Sequence, residues 1–242
     1  MDILWPLITL VTSYLIGSIS TSRLVFRLLA PGKPMQDLEL RVPDSDDVYT
    51  VTATGASAAS MVLGTRAGCV IGLLDMLKAA VPTLLLRLLR PDQPIFLLAA
   101  LAVMAGHNWP IFHRFKGGRG VSAVYGSLFV IDPLGAFVVS FAGLVFGLVV
   151  VRDFIVAYLS GLWLLIPWLW WRTGQAAYVA YAIAANVLFT LAMIPDLQQY
   201  IRVRQKGRIE MDDVMEMTPM GRGMLKIMDK LHLRRERRHV SH

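Results

Sequence analysis

Long apolar segments alternate with short polar connections along most of the chain. These segments cover residues 3–25, 61–89, 94–112, 121–131, 134–151, 154–171 and 175–194. At about 1.5 Å per helical residue, roughly 20 apolar residues cross the ~30 Å of hydrocarbon in a bilayer. Residues 121–131 are too few to cross alone. The pattern therefore predicts an all-α membrane protein of about seven transmembrane helices, one of them short.

Two polar stretches interrupt or follow the apolar pattern. Acidic residues outnumber basic ones in residues 31–60, which predicts a loop outside the lipid. We predict a membrane domain over residues 1–195 that includes this loop, followed by a basic tail over residues 196–242.

The tail contains a pattern of helical spacing between residues 222 and 238. The pattern places Met224, Ile227, Met228 and Leu231 on one stripe, and Lys226, Lys230 and Arg234 on another. It predicts an amphipathic helix on an anionic membrane surface. A solvated, disordered tail is the alternative.

The composition narrows the class of protein. The chain has 242 residues, of which 55% are hydrophobic and 17% charged. Soluble domains carry about 25% charged residues, so a water-soluble enzyme and a disordered chain are both excluded. The single Cys69 excludes a disulfide framework and a multi-cysteine metal site. We expect no metal and no cofactor, and we expect the N-terminal segment to be a retained span.

The basic residues predict an orientation. The loop over residues 113–120 carries three Lys or Arg and no acid, and residues 196–242 carry eleven Lys or Arg against seven acids. Short basic loops prefer the cytoplasm. Seven crossings then put the N-terminus outside and both the C-terminus and the loop at residues 31–60 in the cytoplasm. Arg87 and Arg90 on the outer side run against this orientation, but the two basic stretches outweigh them.

The strongest local signal for chemistry is the sequence GHNWPIFHRFKGGRGV, residues 106–121. Near its end, the cations Lys116 and Arg119 flank the glycines Gly117, Gly118 and Gly120. Glycines let backbone N–H groups converge, and a helix is expected to begin directly afterwards, so the segment predicts a phosphate site. The spacing differs from a P-loop, and ATP is not implied. The alternative is a basic turn that only sets the topology.

Polar residues within the apolar segments are further candidates. His107 and Asn108 close one segment, where a polar side chain is costly to bury and is often functional. Asp75 and Lys78 lie three residues apart and can pair on one helix face. The alternatives are a hydrogen bond between helices for His107 and a structural ion pair for Asp75 and Lys78.

These motifs resemble the membrane-embedded acyl-phosphate glycerol-3-phosphate acyltransferases of bacterial phospholipid synthesis. The resemblance runs from YLIGSI at residues 14–19 through DMLK at 75–78 to the block at 106–121, and more faintly to about residue 210. It implies transfer of a fatty acyl group from acyl phosphate to the sn-1 hydroxyl of glycerol 3-phosphate, giving lysophosphatidic acid and phosphate. It also implies a multi-pass protein of the bacterial inner membrane.

The resemblance implies roles for individual residues. Lys116, Gly117, Gly118, Arg119 and Gly120 would hold glycerol 3-phosphate. If this reaction holds, His107 is the best available general base by its chemistry, and the substrate's own phosphate is the alternative base. Asn108 and Lys78 are then expected near the second phosphate or the oxyanion. Asp75 and Ser57 complete the expected substrate-binding set. Expected partners are acyl phosphate, glycerol 3-phosphate and a bilayer with an anionic inner leaflet, and no nucleic acid.

The chain also departs from the family pattern. Residues 50–58 read TVTATGASA where the family has Gly-Ser-Gly-Asn before Gly-Ala-Thr-Asn, and Met61 replaces an arginine. Ala79 replaces a glycine, and Asp196 and Gln199 replace a histidine and an asparagine, whereas Arg202 is kept. These changes leave open a non-catalytic paralogue that binds a phosphate or a lipid. A transporter, suggested by Asp75 and Lys78 inside a span, is the second alternative.

Overall fold

The computed structural model describes residues 3–32, 35, 37–41, 48–51, 55–151, 154–205 and 219–230. The described helices are α1 (Leu4–Gly17), α2 (Thr21–Leu29), α3 (Ala56–Leu63), α4 (Thr65–Leu89), α5 (Ile95–Asn108), α6 (Val121–Ile131), α7 (Pro133–Val145), α8 (Phe154–Thr173), α9 (Ala176–Gln205) and α10 (Pro219–Lys230). A 3-10 turn covers Ile111–His113, and a π-helical turn, Phe146–Val151, follows α7.

The described helices have the length and composition of membrane spans. Five helical segments, three of which join two of these elements, are long and apolar enough to cross a bilayer: Leu4–Leu29, Thr65–Leu89, Ile95–His113, Pro133–Val151 and Ala176–Gln199. Large apolar side chains also point outward, among them Leu88 and Phe141, each 69% exposed. Such exposure suits lipid rather than water. The helical membrane class is confirmed, whereas the count of seven spans and the orientation stay predictions.

The first predicted segment, residues 3–25, is not one continuous helix. Helix α1 ends at Gly17, and α2 begins at Thr21. The hydroxyl of Ser18 donates back to the Tyr14 carbonyl, at 2.9 Å, and the Ser20 hydroxyl caps α2 by accepting from the Arg23 N–H, at 3.4 Å. The Ser20 side chain thus satisfies a backbone N–H that a continuous helix would bond internally, and the Ser18 hydroxyl adds a second bond to a carbonyl that the Ser18 N–H also reaches.

Two other predicted boundaries also move. Residues 61–89 divide between α3 and α4, because Gly64 adopts a left-handed φ of 89° between them. The predicted membrane domain ends at Pro195, but helix α9 continues through that residue to Gln205. The division into a membrane domain and a tail at residue 195 stays a prediction.

The polar loop at residues 31–60 contains a small β-hairpin, which the all-α prediction omits. Strand β1 (Leu38–Arg41) pairs antiparallel with β2 (Val48–Val51), with Leu38 opposite Val51. Apolar and polar residues alternate in β1, which is the period of a strand.

Helix α5 packs against α1, α4, α6 and α9, and glycines bring several helices into backbone contact. A Cβ atom on Gly17 of α1 would lie 2.2 Å from the carbonyl oxygen of Val103 of α5. One on Gly126 of α6 would lie 2.1 Å from the carbonyl of Met76 of α4. Small residues therefore set how closely the helices around α5 approach each other.

Helix α10 lies against α3. Its Leu225 and Met228 are buried, and its Lys226 and Lys230 are exposed. Leu225 was absent from the predicted apolar stripe; the side chains of Met224 and Ile227, and all of Leu231 and Arg234, lie outside the described residues. Binding of this helix to a membrane surface stays a prediction.

Candidate active site

A narrow pocket lies where four parts of the fold meet. These are the break between α1 and α2, the middle of α4, the end of α5 and the loop over residues 113–120, called the glycine-rich loop below. Its lining residues are Gly17, Ser18, Ile19, Ser20, Thr21, Ser22, Asp75, Lys78, His107, Pro110, Gly117 and Gly118. The pocket is thus built from segments up to about a hundred residues apart in the chain.

The carboxylate of Asp75 joins three of these segments. Its Oδ1 accepts from the hydroxyl of Thr21 on α2 at 2.7 Å, lies 2.7 Å from Nζ of Lys78 and 3.3 Å from Nδ1 of His107 on α5. Asp75 is only 3% exposed, so these partners offset the cost of burying its charge. The network fixes the mutual positions of a cation, a carboxylate and an imidazole.

Lys78 keeps one donor available for a ligand. An ammonium group carries three N–H donors. Two are used, one by Asp75 and one by the carbonyl of Ile19 at 3.0 Å. Among the contacts of the described residues, the third is left over on a side chain that lines the pocket.

His107 faces the glycine-rich loop with its other ring nitrogen. The Gly118 N–H donates to the His107 carbonyl at 3.0 Å. A Cβ atom on Gly118 would lie 2.1 Å from Nε2 of His107, and one on Gly117 would lie 2.2 Å from the His107 carbonyl oxygen. The two glycines are needed because any side chain there would push the loop away from the imidazole.

The first turn of α2 forms another wall of the pocket. Ser20, Thr21 and Ser22 all line it. The N-terminal turn of a helix carries the positive end of the helix dipole. Together with Lys78 and the glycine-rich loop, this turn makes the pocket suited to an anion such as a phosphate.

The structure brings together some of the predicted site residues. Those lining the pocket are Asp75, Lys78, His107, Gly117 and Gly118. Those outside its lining are Asn108, Lys116, Arg119 and Gly120. The side chain of Ser57 lies outside the described residues. The catalytic and binding roles of all of them stay predictions.

Asn108 lies inside the helix bundle rather than on the pocket wall. It is 3% exposed, and its Nδ2 donates to the Leu188 carbonyl of α9 at 3.3 Å. A Cβ atom on Gly120, where φ is 83°, would lie 2.6 Å from its Oδ1. Asn108 therefore ties the end of α5 to α9 and limits what can follow the loop.

Lys116 and Arg119 make their contacts outside the pocket. The Lys116 side chain is exposed, and its carbonyl accepts from both terminal nitrogens of Arg23 at 3.3 Å. Arg119 pairs with Asp196 on α9. Three residues further on, the Gln199 amide bonds the backbone of Thr50 in β2. The part of α9 beyond Pro195 thus contacts both the glycine-rich loop and the polar loop at residues 31–60.

Sequence reasoning missed the serine and threonine wall. Ser18, Ser20, Thr21 and Ser22 form a short polar run inside an apolar segment. That run was the available signal, because four hydroxyl side chains in five residues suit a helix end better than a helix interior.

Comparisons with known proteins show the family of the chain. The profile of the family named glycerol-3-phosphate acyltransferase matches residues 7–203. Glycerol-3-phosphate acyltransferase 2 of Moorella thermoacetica is 33% identical over 202 residues, 81% of this chain and 93% of the relative. The glycerol-3-phosphate acyltransferase of Shewanella loihica is 38% identical over 133 residues, 55% of this chain and 58% of the relative.

Solved structures share the fold. The structure of PlsY (YgiH), an integral membrane glycerol 3-phosphate acyltransferase, aligns in its glycerol 3-phosphate form with a TM-score of 0.65. The identity is 23%, over 85% of this chain and 94% of that chain. Its lysophosphatidic acid form aligns with a TM-score of 0.64. The family profile and the Moorella relative show that the chain belongs to the glycerol-3-phosphate acyltransferase family.

Proposed function

We propose that the protein transfers a fatty acyl group from acyl phosphate to the sn-1 hydroxyl of glycerol 3-phosphate, giving lysophosphatidic acid and inorganic phosphate. The single observation that carries this proposal is the pocket in which Asp75, Lys78 and His107 meet the first turn of α2 and the glycine-rich loop. Family membership supports the same activity.

The phosphate of glycerol 3-phosphate binds in this pocket. The remaining donor of Lys78 bonds its oxygens, and the positive end of the α2 dipole stabilises its charge. The close approach of Gly117 and Gly118 to His107 holds the acceptor beside the imidazole. Each of these groups is fixed by packing or hydrogen bonds before substrate arrives, which reduces the reorganisation that binding requires.

His107 accepts the proton of the attacking hydroxyl. Histidine is suited to proton transfer near neutral pH. Because Nδ1 bonds the carboxylate of Asp75, the neutral ring carries its proton there and leaves Nε2 as the base. Asp75 thus orients the ring and stabilises the imidazolium that forms.

The reaction needs no serine or cysteine nucleophile. The donor is a mixed anhydride of a carboxylic acid and phosphoric acid, so its acyl carbon is already activated. The hydroxyl oxygen forms a bond to that carbon, the carbon–oxygen bond to phosphate breaks, and the hydroxyl proton passes to Nε2 of His107 and then to the departing phosphate. Positioning of two bound reactants supplies up to about 7 to 11 kcal/mol of the barrier reduction.

The membrane location suits a lipid product. The helices around the pocket are apolar enough to span a bilayer. An acyl chain can therefore enter and leave the pocket laterally, from the surrounding lipid. The basic loop and tail support a cytoplasmic active site in the inner membrane of a bacterium, facing an anionic leaflet.

Purified protein in detergent tests the proposal directly. Radiolabelled glycerol 3-phosphate is incubated with palmitoyl phosphate or, separately, with palmitoyl coenzyme A, and the lipid product is analysed for the position of its acyl chain. We expect 1-acyl lysophosphatidic acid from palmitoyl phosphate alone. Glycerol 3-phosphate binding without product identifies the non-catalytic paralogue, and product from palmitoyl coenzyme A alone contradicts the donor.

A further inference from the structure

A second cavity lies beside α2, next to the active-site pocket. Its lining residues are Arg23, Phe26, Arg27, Ala30, Pro31, Gly32 and Met35. It holds about 690 Å³ of empty space, including solvent at its mouth, against about 220 Å³ in the active-site pocket. The second cavity is therefore the larger of the two.

Two arginines give this cavity a basic wall. Arg23 and Arg27 are four residues apart on α2, so their side chains emerge one turn apart on one face. No acidic side chain is among the described residues that line the cavity. The planar guanidinium group binds phosphate oxygens with two parallel hydrogen bonds, which a lysine cannot do.

The rest of the cavity is apolar. Phe26 is 5% exposed and Ala30 is 8% exposed, and Met35 also lines the cavity. Beside this face, Leu24 and Leu28 of α2 are 51% and 70% exposed. A basic wall over an apolar floor, next to leucines that suit lipid, matches a molecule with a phosphate head and a hydrocarbon chain.

Arg23 connects this cavity to the active-site pocket. Its guanidinium donates to the carbonyl of Lys116, the residue before Gly117. The first turn of α2 lines the pocket, and its next two turns line the cavity. A ligand bound at the arginines thus lies about one helical turn from the wall of the pocket.

We propose that this cavity is a separate subsite for the phosphate head of an acyl-chain-bearing phosphate, held by Arg23 and Arg27. Taking the acyl phosphate donor or the lysophosphatidic acid product as that ligand rests on the proposed function. An anionic membrane phospholipid offers the same head chemistry and is the other source.

Binding of dodecyl phosphate, a stable single-chain phosphate, tests the subsite. Calorimetric titrations use the full-length protein in phosphatidylcholine nanodiscs, with dodecyl phosphate, inorganic phosphate and glycerol 3-phosphate as probes. The variants are Arg27→Gln and the double variant Arg23→Gln with Arg27→Gln. Arg66→Gln, which removes an exposed arginine in the first turn of α4, is the matched control.

We expect the double variant to bind dodecyl phosphate at least about tenfold more weakly and Arg27→Gln to weaken it less, because charge-assisted bonds to phosphate are strong. Arg27→Gln keeps its glycerol 3-phosphate binding, and Arg66→Gln keeps its binding of every probe. The double variant loses some glycerol 3-phosphate affinity, because Arg23 also contacts the glycine-rich loop, but less than it loses dodecyl phosphate affinity. Inorganic phosphate binds more weakly than dodecyl phosphate. Retained glycerol 3-phosphate binding also shows that the variants are folded.

A second set of nanodiscs distinguishes the two sources of the phosphate head. If added phosphatidylglycerol weakens dodecyl phosphate binding to the wild type but not to the double variant, a membrane lipid shares the subsite. If it does not, the subsite serves the donor or product. Wild-type dodecyl phosphate affinity in the double variant overturns the inference, and so does an equal loss of glycerol 3-phosphate affinity. No outcome depends on turnover, so a failed acyltransferase assay leaves this test intact.

Discussion

Arg119 of the glycine-rich loop and Asp196 of α9 form a bidentate ion pair across 77 residues of sequence. Arg119 Nε lies 2.5 Å from Oδ2, and Nη2 lies 2.6 Å from Oδ1. The two side chains are 25% and 27% exposed. The planar geometry uses both carboxylate oxygens at once, so the guanidinium acts here as an anchor between the loop and α9.

We expect this anchor to show as coupling between the two positions. Arg119→Gln and Asp196→Asn each lower the Tm by about 2–4 °C, which corresponds to roughly 1 kcal/mol in a chain of this size. The double variant should lose little more than either single variant, because each single change already breaks the pair. Thermal unfolding in one detergent gives all four values, and strictly additive losses contradict the coupling.

Gly118 makes the sharpest steric prediction. In Gly118→Ala the new Cβ meets Nε2 of His107 at 2.1 Å, so the loop or the imidazole must move. We expect acyltransferase activity to fall by about 100-fold or more, since a displacement of about 1 Å at reacting groups has that effect. Gly72→Ala is the matched control, because its Cβ would meet only the Cβ of Ala56, at 3.9 Å.

The outcome that contradicts this account is equal activity in the two alanine variants. Folding is checked by retention of the wild-type elution volume and Tm. An inactive Gly118→Ala protein with a normal Tm places the effect in the pocket rather than in the stability of the fold.

Some of this site could be predicted from local sequence. The length of the apolar runs predicts helices, and the three-residue spacing predicts that Asp75 and Lys78 pair, which the structure has at 2.7 Å. The glycine-rich block could be identified because Gly117 and Gly118 stand beside cations. These features depend on neighbours within a few residues, which a single sequence contains.

Other features depend on contacts that the sequence does not specify. Hydropathy averaged over an apolar segment conceals the break between α1 and α2. The break depends on hydroxyl groups, such as those of Ser18 and Ser20, that bond nearby backbone groups. The pairing of Arg119 with Asp196 requires α9 to continue past Pro195. Proline often ends helices, so the pattern favoured a helix end at Pro195. In the structure α9 continues past it, because packing against neighbouring helices stabilises the helix there.

Proton transfer by His107 is tested by His107→Gln. Glutamine can still donate to Asp75 but does not accept a proton at neutral pH. We expect kcat to fall by about 10²- to 10⁴-fold while KM for glycerol 3-phosphate changes little, and we expect the acidic limb of the pH–rate profile to disappear. Initial rates across pH 5 to 9 give both readouts.

The matched control for this test is His113→Gln. His113 lies in the 3-10 turn and outside the pocket lining, so its variant should keep the wild-type profile. Unchanged turnover in His107→Gln would mean that the proton passes directly to a substrate phosphate, and the general-base role would be withdrawn.

Asp132, between α6 and α7, predicts a dependence of stability on pH. It is 6% exposed, and its Oδ2 accepts from Nε1 of Trp168 at 2.7 Å and lies 3.4 Å from Nε of Arg172. Burial alone raises the pKa of Asp132, but the hydrogen bonds from Trp168, Arg172 and the Gly135 backbone outweigh it and hold the pKa below its ordinary value. The folded protein therefore binds this proton less readily than the unfolded chain.

The stability that Asp132 contributes is then fully present above the pKa of the unfolded carboxyl, about 4, and is lost as the pH falls through the lower folded value. We expect the wild type to exceed Asp132→Asn in Tm between pH 5 and 7, and the gap to shrink steadily below pH 4. Asp92→Asn, which changes an exposed carboxylate in the turn between α4 and α5, is the control and should show no such gap. A gap between wild type and Asp132→Asn that is constant from pH 7 to pH 3 would mean that the asparagine acts through packing alone, and the electrostatic account of this connection would fail.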